Sequence, residues 1–505
     1  MRTIPRLGIL FVLALATGLL WPSPKPASGT VVGGEGRIAA GSDHTCAMTE
    51  AGGAICWGKN ENGQLGDGAT AHRTTPVVVS GLGDSSVAAV TAGAFHTCAL
   101  TTDGGVLCWG RNTEGQLGDA TQVDRATPVA VSGLPGVVAV AAGGFHTCAL
   151  TETRGVTCWG NNSSGQLGDG QICGNVCTTP VGVVGLTSGV AAIAAGLQHS
   201  CAVLDTGIVK CWGSNTVGQL GDGTNADSAT PVDVAGAIGS AIAAGGAHTC
   251  ALTDGASVRC WGENDSGQLG DGTDMNRRTP IDVSGLPWGF RVLAAGFKHT
   301  CVILEPTGMA CWGNNSLGQL GDGRACGSTC PSPVAVSGLA EDVAAVAMGF
   351  FHTCALGVAS SLQCWGLNDN GQLGEGRACF VLCDTPLDVL LDSDGDGCLD
   401  RQELGVDPLL GGLRDPKSFW DFFDPSRDRA VSLQDFLQVL ARFGSVGDPT
   451  VDPLSAPPPP PAYHPRFDRG GQTPGSDPWD ELPANGSIGL ADFLALLRQF
   501  GHTCV

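Results

Sequence analysis

Basic residues are few: 26 Lys and Arg stand against 48 Asp and Glu over 505 residues, a formal net charge of −22. Phosphate backbones are held by basic surfaces, so nucleic acid is excluded as a partner. Charged residues make up only 15%, and the helix formers Lys and Glu are scarce among them. That excludes a mainly helical chain and favours short strands. Long apolar runs are also missing. The stretch Leu7 to Leu20 has 14 residues, short of the roughly 20 that a membrane helix needs, and nothing after it is long enough. No nucleophile motif, phosphate-binding loop or catalytic zinc spacing occurs, so no enzymatic activity is expected.

What is present in quantity is glycine (78), proline (29) and cysteine (22). Arg2 and Arg6, then the apolar stretch, then Pro22, Pro24 and Pro26 have the layout of an export signal over residues 1–28, with cleavage near Ala27. An uncleaved N-terminal anchor is the alternative. In an exported chain so many cysteines indicate disulfides, and a secreted, extracellular or cell-surface location follows. The mature chain is expected to have no membrane span and to be a monomer.

Internal repetition dominates the sequence. Cys-Trp-Gly recurs seven times, with Trp at 57, 109, 159, 212, 261, 312 and 365. Each triplet is preceded by His-Thr-Cys or His-Ser-Cys and followed by Asn and Gly-Gln-Leu-Gly. A strand of small residues ending in Gly comes before, as in Val138 to Gly143, and a Pro-containing strand comes after, as in Pro128 to Val131. Four short strands in about fifty residues make one propeller blade. A lone blade cannot bury both faces, so seven must stack around an axis. The expected fold is all-β, a seven-bladed β-propeller over residues 31–391. The first repeat has only the end of its small-residue strand, while Pro386 to Val389 supplies a Pro strand at the far end. Closure joining late and early segments is therefore left open.

The motif Ala-Gly-x-x-His-Thr-Cys-Ala-Leu … Cys-Trp-Gly-x-Asn-x-x-Gly-Gln-Leu-Gly-Asp-Gly resembles the regulator of chromosome condensation repeat family, over about 70% of the chain. The resemblance implies a propeller that binds partners. Intracellular members exchange guanine nucleotides on small GTPases, a partner that an exported chain does not readily meet. Secreted bacterial members include inhibitors of β-lactamase, which makes an enzyme inhibitor the alternative function.

Within each repeat two cysteines lie ten residues apart: Cys46-Cys56, Cys98-Cys108, Cys148-Cys158, Cys201-Cys211, Cys250-Cys260, Cys301-Cys311 and Cys354-Cys364. A hairpin turning near Asp103-Gly104 sets such a pair face to face on adjacent strands, close enough to bridge. Seven His/Cys metal sites are the rejected rival. Three further pairs, Cys173-Cys177, Cys326-Cys330 and Cys379-Cys383, accompany a longer loop before the Pro strand and read as staples on the extra length. Cys398 and Cys504 remain and are expected to join. The recurring histidines, 44, 96, 146, 199, 248, 299 and 352, are expected to hydrogen-bond within or between blades, and the tryptophans to pack there. The position before each histidine varies: Asp43, Phe95, Phe145, Gln198, Ala247, Lys298 and Phe351. Phe95, Phe145, Phe351 and the neighbouring Phe297 and Phe350 are the candidate partner-binding residues. Packing beneath adjacent loops is their bland alternative.

Composition shifts at residue 392. Asp392, Asp394, Asp396, Asp400 and Glu403 occupy positions 1, 3, 5, 9 and 12 of an EF-hand calcium loop, with Gly397 at the turn and Cys398 offering a backbone carbonyl. A weaker second loop takes Asp424, Ser426, Asp428, Ala430, Ser432 and Asp435, with Arg429 where glycine belongs. Two apolar-periodic segments, Leu433 to Gly444 and Leu490 to Gly501, read as helices. The paired layout is similar to a degenerate dockerin, a module that docks onto cohesins. A small α-helical calcium-binding region is thus expected at 392–444. A Pro-rich linker (445–461) and a second helical segment (462–505) follow. The expected function is an extracellular scaffold that recognises a protein or glycan through propeller loops, with calcium as its cofactor. A dockerin-associated glycan-processing component is a further alternative.

Overall fold

Small and β-branched residues such as Val87–Ala92 suit the crowded centre of a ring, and the segments after them carry the bulk that fills the space between blades. The structure, a computed structural model, describes residues 36–389 apart from 50, 83–85, 254–256, 288, 306–307, 324, 341, 359–360 and 377–381. The signal segment, both calcium loops, the linker, the second helical segment and the Cys398-Cys504 pair lie outside the described residues.

Seven four-stranded antiparallel sheets follow one another, at 38–78, 87–130, 137–182, 190–238, 241–282, 290–335 and 343–388. Blade 2 is typical, with Val87–Ala92 on the axis, then His96–Thr101, Val106–Gly110 and Arg125–Ala130 outward. Every sheet uses four consecutive strands, so blade 1 keeps its own short inner strand, Ile38–Ala40, and no strand is exchanged at closure. Blade 7 meets blade 1 through the contacts that join every other pair.

Those contacts explain the repeated motif. The Trp109 indole N–H of blade 2 donates to the Gln64 carbonyl of blade 1 at 2.9 Å, and the Thr97 hydroxyl donates to the same oxygen at 2.9 Å. Having spent its proton there, Thr97 accepts from His44 Nε2 at 2.9 Å. At closure, Trp57 and Thr45 donate to Gln372 O, and His352 Nε2 meets Thr45 Oγ1. The seven Cys-Trp-Gly tryptophans and the seven recurring histidines are fully buried. The glycine after Gln-Leu has a positive φ, +69° at Gly118, and a Cβ there would lie 2.8 Å from the Trp159 ring nitrogen of the next blade. Only glycine supplies that turn and that approach together.

Trp57 packs with Cys364, Leu373 and Val389 of blade 7. Trp57→Ala therefore opens the ring seam and is expected to cost about 3–5 kcal/mol. A denaturant midpoint measured against wild type checks this; a cost below about 1 kcal/mol would mean that the seam does not hold the ring closed.

The hairpin cysteines face each other in register, Cys98 opposite Cys108 with Cα atoms 4.1 Å apart. All seven hairpin pairs are bridged, as are Cys173–Cys177 and Cys326–Cys330. Cys383 is disulfide-bonded, while its expected partner Cys379 lies outside the described residues.

Candidate functional site

The turn from inner to second strand comes to one face of the ring, and the Gly-Gln-Leu-Gly turns come to the same face. Main-chain hydrogen bonds set three concentric circles of residues there. The inner circle is Ser42, Ala94, Gly144, Leu197, Gly246, Phe297 and Phe350. Its members, or the glycines beside them, bond from blade to blade, from Ser42 N to Ala94 O at 3.2 Å round to Phe350 N to Ser42 O at 3.4 Å. The middle circle holds the variable residues before each histidine. Each of their carbonyls accepts from the residue after Cys-Trp-Gly, as Phe95 O does from Arg111 N and Phe351 O from Leu367 N. That third circle is Lys59, Arg111, Asn161, Ser214, Glu263, Asn314 and Leu367.

Beneath the face runs an axial channel lined largely by alanines of the inner strands, with a cavity of about 130 Å³. Its walls are aliphatic apart from Met348 and Thr91, whose hydroxyl accepts from Ala142 N at 3.2 Å. The histidines do not reach it, since each ring is sealed between blades. Burial lowers the His44 pKa from 6.5 to about 3, and the other six fall to about 3 or 4 for the same principal reason. The imidazoles are neutral structural bolts.

The five candidate phenylalanines are half-buried and fall into two groups. In blades 2 and 3, Phe95 and Phe145 lie 5.9 Å apart. The Arg111 guanidinium lies over both rings, at 5.7 and 5.3 Å from their centroids, and donates to Glu114 at 2.9 Å. In blades 6 and 7, Phe297 stacks on Phe350 at 4.7 Å, and Phe351 meets both edge-on. The rings pack on one another at the face. Lys298 is engaged by Glu263 and Asp265 of blade 5, at 3.1 and 2.7 Å. Burial works to lower its pKa, but the two carboxylates outweigh that and hold it above the usual range. Burial pushes the Asp43 carboxyl up; Ser42 and Lys59 oppose the shift, and Asp369 and Glu61 add to it.

The loop cysteines prove to be a replacement as well as a staple. In blades 1, 2 and 5 an arginine at the start of the outer strand pairs with the aspartate after Gly-Gln-Leu-Gly: Arg73–Asp67 at 2.8 Å, Arg125–Asp119 at 2.9 Å, Arg277–Asp271 at 2.6 Å. Those arginines stand opposite the glycine of Cys-Trp-Gly. In blades 3, 6 and 7 the same register position is Cys177, Cys330 or Cys383. In blades 3 and 6 a sulfur bridge thus ties the loop where a guanidinium ties it in blades 1, 2 and 5; blade 4 has Ser228 at that position. Asp169 lies within 4.8 Å of both loop sulfurs, but those sulfurs are bonded to each other. Its oxygens accept from Asn162, from the Gln171 N–H and from the Cys173 N–H, so the group is committed to the loop.

The sequence singles out the phenylalanines but not Arg111, Leu367, Glu61 or Asp369. The position after Cys-Trp-Gly varies as freely as the one before histidine, and that variation was the available signal.

Residues 51–100, 103–150, 156–203, 207–252, 257–303 and 311–356 match the regulator of chromosome condensation (RCC1) repeat. The chain is 31% identical over 348 residues to the ultraviolet-B receptor UVR8 of Arabidopsis thaliana, covering 68% of this chain and 79% of that one. It is 38% identical over 100 residues to the human E3 ubiquitin-protein ligase HERC2, which is 20% of this chain and 2% of that protein. Among solved structures, Prp20p of Saccharomyces cerevisiae, described with its binding to Gsp1p and histones, superposes with a TM-score of 0.61 at 23% identity, covering 71% of this chain and 88% of that one. Human WBSCR16 gives 0.60 at 24%, covering 67% and 93%.

Proposed function

The chain belongs to the regulator of chromosome condensation (RCC1) repeat family, and from that premise we propose that it is a non-catalytic binding protein whose loop face holds a protein partner. One observation carries this reading. The seven blades are near copies at the buried tryptophan, histidine and hydroxyl contacts that join them and differ along the three circles, where the larger side chains reach solvent and Ser42, Ala94, Gly144, Gly246 and Ser214 are buried. From blade 1 to blade 7 the circles read Ser-Asp-Lys, Ala-Phe-Arg, Gly-Phe-Asn, Leu-Gln-Ser, Gly-Ala-Glu, Phe-Lys-Asn and Phe-Phe-Leu. Recognition of one partner needs such asymmetry, with aromatic and arginine anchors gathered in part of the surface. One solved relative supports the reading in two structures: yeast Prp20 is described with its binding to Gsp1p and histones and, separately, bound to Kap60.

The proposal extends to the setting. The apolar stretch at Leu7 to Leu20 and the 22 cysteines support an extracellular or cell-surface protein. The acidic loop 392–403 supports a calcium-dependent C-terminal module. Cross-linking and affinity capture from the producing cells, with wild type and with Phe95→Ala/Phe351→Ala, tests the central claim. At least one protein held by wild type is expected to be lost from the double variant and kept by Asp205→Lys, a change in an exposed turn on the opposite face. Identical captures by all three proteins would remove the loop face from the function.

A further inference from the structure

We infer that the sector of the loop face formed by blades 6, 7 and 1 receives an arginine side chain from a basic segment of a protein partner. The inference rests on the reading of that face as a binding surface. Blade 2 shows what such a sector accommodates. There Arg111 lies over Phe95 of its own blade and Phe145 of the next, and Glu114 takes its guanidinium. This is the usual way a planar cation is held, by ring faces and a carboxylate together.

Blade 7 repeats the arrangement without the cation. Phe351 stands where Phe95 does, backed by Phe350 and Phe297. Asp43 of blade 1 stands in the place of Phe145, and Asp369 and Glu61 lie close enough to repel it. At the position of Arg111 the chain has Leu367. Lys59 pairs with Glu61 at 3.2 Å, and His72 Nε2 lies 3.7 Å from the same carboxylate. Three carboxylates against one ammonium and one imidazole leave a negative surplus beside an aromatic cluster. That combination is complementary to a guanidinium, and a net charge of −22 draws cationic partners by steering. Arginine is favoured over lysine because a planar guanidinium stacks on rings and forks onto carboxylates.

Fluorescence anisotropy of the full chain at physiological salt, with labelled nonapeptides (Gly-Arg-Gly)₃, (Gly-Lys-Gly)₃ and (Gly-Glu-Gly)₃, tests this. The arginine peptide is expected to bind more tightly than the lysine peptide and the glutamate peptide not at all. Phe351→Ala and Asp43→Lys should each weaken it about tenfold, the near-isosteric Asp43→Asn by several-fold, and Asp205→Lys by less than about twofold. Retained far-UV dichroism shows that a variant is folded; Asp43→Asn decides if another is not. Equal losses for Asp205→Lys and Asp43→Lys would reduce the effect to general charge and overturn the inference. So would binding of a neutral oligosaccharide lost in Phe351→Ala with no arginine binding. Loss of the captured partner in Phe95→Ala/Phe351→Ala, with the arginine peptide unaffected by Phe351→Ala, would overturn this inference alone. Unchanged partner capture would overturn the broader reading instead.

Discussion

Acidified from pH 7.5 to pH 5.5, the protein is expected to lose about 10 kcal/mol of stability and to unfold cooperatively between about pH 6 and pH 5. Seven imidazoles cause this. In the unfolded chain each titrates near its ordinary value of 6.5; in the folded ring burial holds it neutral down to about 3, or about 4 for His199. A depressed folded pKa favours the native state above the unfolded value and loses that advantage as pH falls, because the unfolded chain then binds the extra protons. One pH unit below 6.5, each imidazole removes about 1.4 kcal/mol, and seven remove about 10. That is comparable with the whole stability of an ordinary domain. Asp67, Asp119 and Asp271 act in the same direction at lower pH. Burial works against their ionisation, but the arginine, amide, hydroxyl and main-chain donors around them outweigh it. Guanidinium midpoints followed by tryptophan emission at pH 7.5, 6.5 and 5.5 measure the slope. A midpoint flat over this range would show that the histidines are not buried as neutral bolts.

The second large effect is loss of the hairpin bridges. Each closes a segment with a sequence separation of 10, worth somewhat under about 3 kcal/mol through the entropy of the unfolded chain. The seven loops do not overlap along the sequence, so their effects on the unfolded state add, to about 15–20 kcal/mol. This exceeds the usual net stability of a domain. A chain kept reduced is therefore expected not to fold at neutral pH. The bridges are fully buried and resist reductant in the native state, so the experiment begins from the denatured state. Protein unfolded and reduced in guanidinium with dithiothreitol is freed of reductant and diluted into native buffer containing either a glutathione–glutathione disulfide couple as oxidant or fresh dithiothreitol. The oxidised control should regain its tryptophan emission and its strand dichroism, and the reduced sample should not. Equal recovery in both would mean that the interblade hydrogen bonds and tryptophans hold the ring without sulfur.

The arrangement of cysteines made much of this legible in advance. A spacing of ten around Asp103-Gly104 fits a hairpin that sets the two cysteines face to face, and its repetition beside Cys-Trp-Gly marks out seven units. The phenylalanines could be singled out because they occupy positions that vary within otherwise uniform repeats. Their grouping could not, since Phe297 and Phe351 are brought together only by the packing of blade 6 on blade 7. The loop cysteines read as a staple from their spacing, but their equivalence to Arg73, Arg125 and Arg277 depends on sheet register, which the longer loop conceals along the chain.

Local chemistry determined the blades: strand-forming residues, turn glycines and cysteine spacing act over fewer than about fifteen residues and need no distant partner. Closure and the face were decided by tertiary structure alone. Gln372 reaching Trp57, or Asp369 lying beside Asp43, joins residues more than 300 positions apart. No pattern in the chain encodes that distance. It follows from the angle at which each blade packs on the next, summed seven times until the last meets the first.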